Sequence, residues 1–192
     1  MLRHNRAQSG FALLMTLVVV SVVISVGLTL IELTIKQLRL STGAKDSEIA
    51  FHAANAGVEC IRYWRLASST EFENGVGNTV PMNCFGAGVS TVTMTDLSPG
   101  PELIFKYDVD FTWGAAGAQR CSRASFITLS SDPTSAGVTL TSVPTYIIGY
   151  PNTDKTCQAG GLCTIVSVKG YNQPCTNVGT LGTIEREVLL EL

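Results

Sequence analysis

Six cysteines, Cys60, Cys84, Cys121, Cys157, Cys163 and Cys175, are the residues of this chain best equipped for chemistry. Zinc ligands usually come as close Cys pairs with a second pair or with histidines. Here no Cys-x-x-Cys occurs, and the only histidines are His4 and His52. An even number of cysteines, all on one side of a long apolar run, favours disulfides over zinc. Cys157 and Cys163 flank QAGGL, a glycine-rich turn that can close a small local loop. Cys60 stands near the end of a helical stretch, and Cys84 follows the loop that leaves it. Cys121 precedes a strand-like segment, and Cys175 lies in the polar NQPCTN turn. Six cysteines allow fifteen pairings. Proximity favours Cys60–Cys84 and Cys157–Cys163, which leaves Cys121 and Cys175 as a third pair.

Other reactive constellations are sparse. His52 lies on a helix among alanines, where a surface or packing role outweighs a catalytic one. No glycine-rich phosphate loop follows a strand, and no G-x-S-x-G occurs. Asp108 and Asp110 alternate along a strand face. Two carboxylates make a weak calcium site, so a solvated face is the better reading. Tyr63, Trp64 and Trp113 could meet a ligand, but Trp64 falls on an apolar helix stripe and reads as core. The expectation is a chain that is not an enzyme, with no catalytic residues, no metal and no cofactor.

The elements that position these residues begin with a membrane-length run. Residues 11–31, FALLMTLVVVSVVISVGLTLI, carry no charge. About 20 apolar residues suffice for a helix to cross a bilayer. Arg3 and Arg6 precede the run, which favours a cytoplasmic N-terminus and an exported remainder. The net charge of −2 gives no sign of a nucleic-acid partner. Residues 1–10, MLRHNRAQSG, read as a leader rather than as structure. Beyond the run, Ile35, Leu38, Thr42, Ile49, Ala53, Ala56, Cys60 and Trp64 recur at three- and four-residue steps, one face of an amphipathic helix. No proline precedes Pro81. A single helix is therefore expected over 11–66, roughly 80 Å long at 1.5 Å per residue. Residues 68–88 read as loop. Strands are expected at 89–95, 103–112, 122–130, 137–143, 146–148, 163–169 and 183–192. Phe105, Tyr107, Val109 and Phe111 should share one face, opposite Lys106, Asp108 and Asp110. The fold class is α+β: a long N-terminal helix, half transmembrane and half amphipathic, packed on a C-terminal antiparallel sheet. The expected domains are a leader (1–10), the helix (11–66, with 11–31 spanning the membrane) and a disulfide-linked β-rich head (67–192).

A short basic leader ending in glycine, then Phe and a long apolar helix, is the layout of type IV pilins and type II secretion pseudopilins. SGFALLMTLVVV (from Ser9) resembles their class-defining N-terminus. AFHAANAGVECIRYW (from Ala50) resembles the helix end of pilin-like sequences from poorly characterised bacterial lineages, and VKGYN (from Val168) and IEREV (from Ile184) resemble their tail. The resemblance implies a prepilin peptidase that cuts between Gly10 and Phe11 and methylates the new amino group. It implies other pilin subunits and an inner-membrane assembly platform as partners. The subunit would sit in the inner membrane with its head outside the cytoplasm, and afterwards in a cell-surface or periplasmic fibre. Three departures stand out. Met15 replaces the family's Glu at the fifth mature position, and subunits lacking that Glu tend to sit at fibre tips. Ser9 replaces the Lys or Arg common before the cleavage glycine. Glu32 stands where a helix-kinking proline is usual, and marks the membrane boundary or pairs with an amine in the fibre. The alternative reading is a single-pass anchored extracytoplasmic binding protein that does not polymerise.

Overall fold

The fold is seen in a computed structural model that describes residues 6–192 except 87, 89, 99 and 101. Residues 1–5, with Arg3 and His4 of the expected leader, lie outside the described residues, as does Val89 of the first expected strand. The elements are α1 (Arg6–Ala67), a short α2 (Ser69–Glu73) and seven strands. These are β1 (Val92–Asp96), β2 (Leu103–Trp113), β3 (Arg120–Ser130), β4 (Val138–Leu140), β5 (Lys155–Cys157), β6 (Leu162–Tyr171) and β7 (Glu185–Glu191). The fold class is α+β, with a long apolar N-terminal helix packed on a five-stranded antiparallel sheet. By compactness the chain divides at Lys45, inside α1, into Met1–Lys45 and Asp46–Leu192.

In the first unit, α1 begins at Arg6, so residues 6–10 of the expected leader are helical rather than unstructured. Once a helix is nucleated, each added residue costs little, and Ala7 and Gln8 are good helix formers. From residue 11 to residue 40 nothing is buried. The hydroxyl side chains there are satisfied by their own helix. Thr16, Ser21, Thr29 and Thr34 each donate a hydroxyl proton to the carbonyl three residues back, at 2.8–2.9 Å. Such internal bonds are what a hydroxyl needs where water is absent. The helix is thus long and apolar enough to cross a membrane.

In the second unit the strand order is β1-β2-β3-β6-β7, with every neighbour antiparallel. The period-2 alternation fixes the register. Tyr107 sits opposite Phe126, and Phe126 opposite Val166, which faces Leu190. These residues form a core with Phe105, Val109, Phe111 and Val168, on which Val58, Cys60 and Ile61 of α1 pack. The other sheet face is covered at one end by the β4–β5 ribbon and the turn between its two strands. There Ile104, Ile127, Leu129 and Ile165 meet Val138, Val143, Ile147 and Tyr150 in a second cluster.

The buried stripe of α1 shares Ala53 and Cys60 with the expected one but otherwise differs from it. Ile35 and Leu38 are exposed, Ile49, Ala56 and Trp64 are only half-buried, and the buried residues are Ala50, Ala53, Ala54, Gly57, Val58, Cys60, Ile61 and Arg65. Close approach selected the face. A Cβ on Gly57 would lie 2.6 Å from Val168 Cγ1, and one on Gly170 would lie 2.1 Å from the Ala50 carbonyl oxygen. Helix and strand backbones nearly touch, so only Ala and Gly fit between them. Ser122 Oγ donates to the Ala53 carbonyl at 2.7 Å and accepts from Trp113 Nε1 at 3.0 Å, which pins the contact.

Two further expectations are corrected. Residues 146–148 form a turn rather than a strand, because Pro144 opens a 3-10 turn at Val143–Thr145. The region 68–88 is not all loop. It contains α2, whose Phe72 lies edge-on to Tyr107 and Phe126 with centroids 5.1 and 5.3 Å away. Tyr107 Oη and Thr128 Oγ1 both donate to the Phe72 carbonyl. A helix of five residues carries too little periodicity to be read in advance. The expected strand at 89–95 is shifted to Val92–Asp96, and β5 was not foreseen.

Candidate functional site

The proposed scissile bond, Gly10–Phe11, lies inside α1. Gly10 is exposed, a Cβ there would meet nothing within 4 Å, and Phe11 is exposed. A peptidase must straighten its substrate, and a helical glycine lowers the cost of local unwinding by about 1 kcal/mol relative to alanine. Met15 is exposed too, and the first carboxylate after Phe11 is Glu32, also exposed.

The structure brings the cysteines together in three pairs. Cys60 of α1 joins Cys84 (Cα–Cα 6.0 Å), Cys121 of β3 joins Cys175 (4.7 Å), and Cys157 of β5 joins Cys163 of β6 (5.8 Å). The first ties the helix to the loop before β1. The second closes the sheet end beyond β6. The third fastens the β4–β5 ribbon to β6.

The other residues singled out by sequence are occupied locally. His52 is exposed and 3.7 Å from Glu48, one turn back on α1. Asp108 is held by Lys106 and by the Ser125 hydroxyl. Asp110 takes Arg123 in a two-pronged pair with both N–O distances 2.9 Å, and this bonding raises the guanidinium pKa. Each carboxylate thus already has a cation. Among the described residues no group of three or more His, Cys, Asp or Glu could hold a metal ion. Trp64 Nε1 donates to the Asn83 carbonyl at 3.3 Å, Trp113 is committed to Ser122, and Tyr63 is exposed.

No protein-family model, no curated protein and no solved structure matches this chain. The architecture itself is pilin-like: a long apolar N-terminal helix whose second part packs on an antiparallel sheet. With its disulfides, the apolar helix points to a membrane-anchored extracytoplasmic protein.

Two groups escaped the sequence reading. Glu191 on β7 binds Lys155 of β5 and accepts from Tyr150 Oη. Lys155 and then Tyr150 hold the Glu191 carboxyl below its usual value. Burial, and then the bond to Glu191, pushes the Tyr150 phenol up to about 12. The second is Arg65, which is 4% exposed. Its Nε donates to Thr164 Oγ1 at 3.1 Å and its Nη1 to Glu73 Oε1 at 3.1 Å. The signal was present: Arg65 stands four residues after Ile61, on the buried stripe, where a charged side chain needs a partner.

Proposed function

We propose that this chain is a structural subunit of a type IV pilus or pseudopilus, without a reaction of its own. It is cut between Gly10 and Phe11 by a prepilin peptidase and assembled through its N-terminal helix. The observation that carries this reading is the all-round exposure of residues 11–40 on a helix that continues unbroken to Ala67. A helix that only anchors a head need not be one continuous rod with the helix of that head. An all-round apolar helix outside lipid must bury itself against other helices, and the like helices of other pilin subunits are available at the required concentration in a fibre.

Met15 supports a minor or tip position. A Glu there would sit in lipid at a cost unless paired with a neighbouring amine, and a subunit with no successor has no such amine to meet. Quantitative mass spectrometry of sheared fibres should find few copies of this chain per fibre. Fibres made mainly of it would overturn the tip assignment and leave the subunit reading intact.

The deciding experiment is mass spectrometry of the membrane-extracted protein. The expected N-terminus is Phe11, methylated. Retention of Met1, or a cut beyond Ile31, would sink the assembly reading in favour of a simple anchor or a removed signal sequence.

A further inference from the structure

The sheet face that turns away from α1 is covered by the β4–β5 ribbon at one end only. Over the rest of it, cross-strand register sets polar side chains in two rows. Thr93, Asp108, Ser125 and Ser167 stand side by side in one, and Asp110, Arg123, Lys169 and Glu187 in the other. Neighbours within a row are one strand spacing apart, about 4.8 Å. Two hollows lie over these rows and meet at Arg123. One, of about 210 Å³, is lined by Ser125, Ser167, Lys169 and Glu187 and is bounded by the turn residues Tyr146, Ile147 and Ile148. The other, of about 410 Å³, is lined by Thr91, Thr93, Asp108 and Asp110. Ile147 is anchored in the second core cluster, whereas Ile148 is 74% exposed beside the first hollow.

We propose that this outer face binds a neutral oligosaccharide, laid across the strands from Thr93 to Ile148. The charges decide against an ion. Arg123 is committed to Asp110 at 2.9 Å, Lys169 to Glu185 at 3.0 Å, and Asp108 to Lys106. Glu187 alone has no cation, since it takes the Ser167 hydroxyl at 2.6 Å. An arriving anion would meet that carboxylate and find both cations engaged, and a single carboxylate holds a metal ion poorly. Hydrogen-bonding capacity remains on both sides of the balance. Arg123 bonds Asp110 through Nε and Nη2, which leaves its Nη1 hydrogens without a partner among the described residues. Glu187 Oε2 is likewise unpartnered there. A sugar hydroxyl both donates and accepts, so it can give its proton to Glu187 and take one from Arg123 or Lys169. These groups are open to solvent, with the Arg123 side chain 43% exposed. Tyr146 and Ile148 offer an apolar wall for the C–H face of one ring, the mixture of a few apolar and several directed polar groups that small-ligand sites use. A protein partner would want an apolar centre within a polar rim, and here the apolar groups stand at one edge. The two hollows on either side of Arg123 suit successive rings of one chain.

The test uses the full chain, isotope-labelled, in zwitterionic detergent micelles. The probes are maltotetraose, cellotetraose, mannotetraose and chitotetraose, with tetragalacturonate as the anionic control and glucose as the single-ring control. At least one neutral tetrasaccharide should shift the amides of Thr93, Ser125 and Ser167 saturably, tenfold or more tightly than either control. Ile148→Asp removes part of the apolar wall at an exposed position and should weaken binding tenfold or more while the head keeps its thermal midpoint. Arg123→Gln gives up only an exposed ion pair and should weaken binding similarly. Leu181→Asp, the same change at a fully exposed leucine outside both hollows, should bind like the parent. The proposal is overturned if none of the four neutral probes binds, if tetragalacturonate binds as tightly, if the shifts fall on another surface, or if Ile148→Asp binds like the parent.

Discussion

Gly170 of β6 lies so close to Ala50 of α1 that a Cβ on the glycine would stand 2.1 Å from the Ala50 carbonyl oxygen and 2.2 Å from the Ala54 nitrogen. Both obstacles are helix backbone, which cannot turn aside as a side chain can. Gly170→Ala must therefore push α1 off the sheet. Overpacking of a tight core costs about 1–3 kcal/mol, occasionally more. The thermal midpoint of the head should fall, while Gly27→Ala, at an open position on the membrane-length part of the helix, should leave it unchanged. Equal midpoints for the two variants would show that helix and sheet are not in register as described.

The same contact explains what the sequence concealed. The alternation of Phe105, Tyr107, Val109 and Phe111 announced the sheet and its inner face, because period 2 and burial coincide there. Residues 11–31 announced the helix through length and lack of charge. The packed face of α1 is only partly legible: Ala53 and Cys60 of the apolar stripe are buried, but Ile35 and Leu38 face out. Ile49 and Trp64 lie partly in solvent, and the closest approach to the sheet is made by Ala50, Ala53, Ala54 and Gly57, which carry little hydrophobic signal but permit contact, ahead of Val58, Cys60 and Ile61. Arg65 was missed for a related reason: a charge on the stripe reads as solvated until Glu73 and Thr164, distant in sequence, are brought beside it.

Glu73 should matter more to stability than Arg65. Removing the carboxylate leaves the buried guanidinium without its counter-charge, and breaking a buried pair from one side costs about 3–5 kcal/mol. Arg65→Met removes the buried charge and fills similar volume, and the Glu73 left behind is 27% exposed and can be hydrated, so its cost should be smaller. Denaturant unfolding of Glu73→Gln and Arg65→Met checks the order. Equal losses would mean that the pair is effectively solvated.

The C-terminal strand should loosen in acid. Glu191 titrates below its ordinary value of 4.5 because Lys155 and Tyr150 bind its charged form. A carboxyl with a lowered folded pKa contributes stability that is complete above the unfolded value and is lost as pH falls through the folded one. The contribution of this cluster should therefore be full at neutral pH and fade as pH drops below about 4.5. Hydrogen exchange should show amides of β7 losing protection in that window. Glu191→Gln should already be less protected at neutral pH and show a smaller acid effect. An unchanged acid response in the variant would assign the effect to another group.

Gly10→Val should stop processing without disturbing the protein. A Cβ at Gly10 meets nothing within 4 Å, so the helix accepts the side chain. The obstruction arises only when a peptidase must close on the scissile bond. Full-length protein should accumulate in the membrane, with a head that unfolds at the parent midpoint. Normal removal of residues 1–10 from the variant would count against a prepilin-type cut.

Cys121→Ser should release the far end of the sheet and nothing else. Cys121 is fully buried at the start of β3, opposite Tyr171, and its partner Cys175 follows β6 in the turn that leads to β7. The bond spans 54 residues in sequence, worth roughly 4 kcal/mol on the chain-entropy model. Cys175 is also the last covalent tie before β7. That strand is held by its pairing with β6, by the Arg186 bond to Ser47 Oγ at 2.8 Å and by the Glu191 cluster. Without the disulfide, amides of β7 and of the Asn172–Ile184 connection should exchange faster, and the head should melt earlier. Cys60–Cys84 and Cys157–Cys163 should still form, as peptide mapping under non-reducing conditions would show. Insertion and leader removal should proceed normally, since both depend on the N-terminal helix alone. Scrambled pairs, or a β7 as protected as in the parent, would refute this assignment of the bond's role.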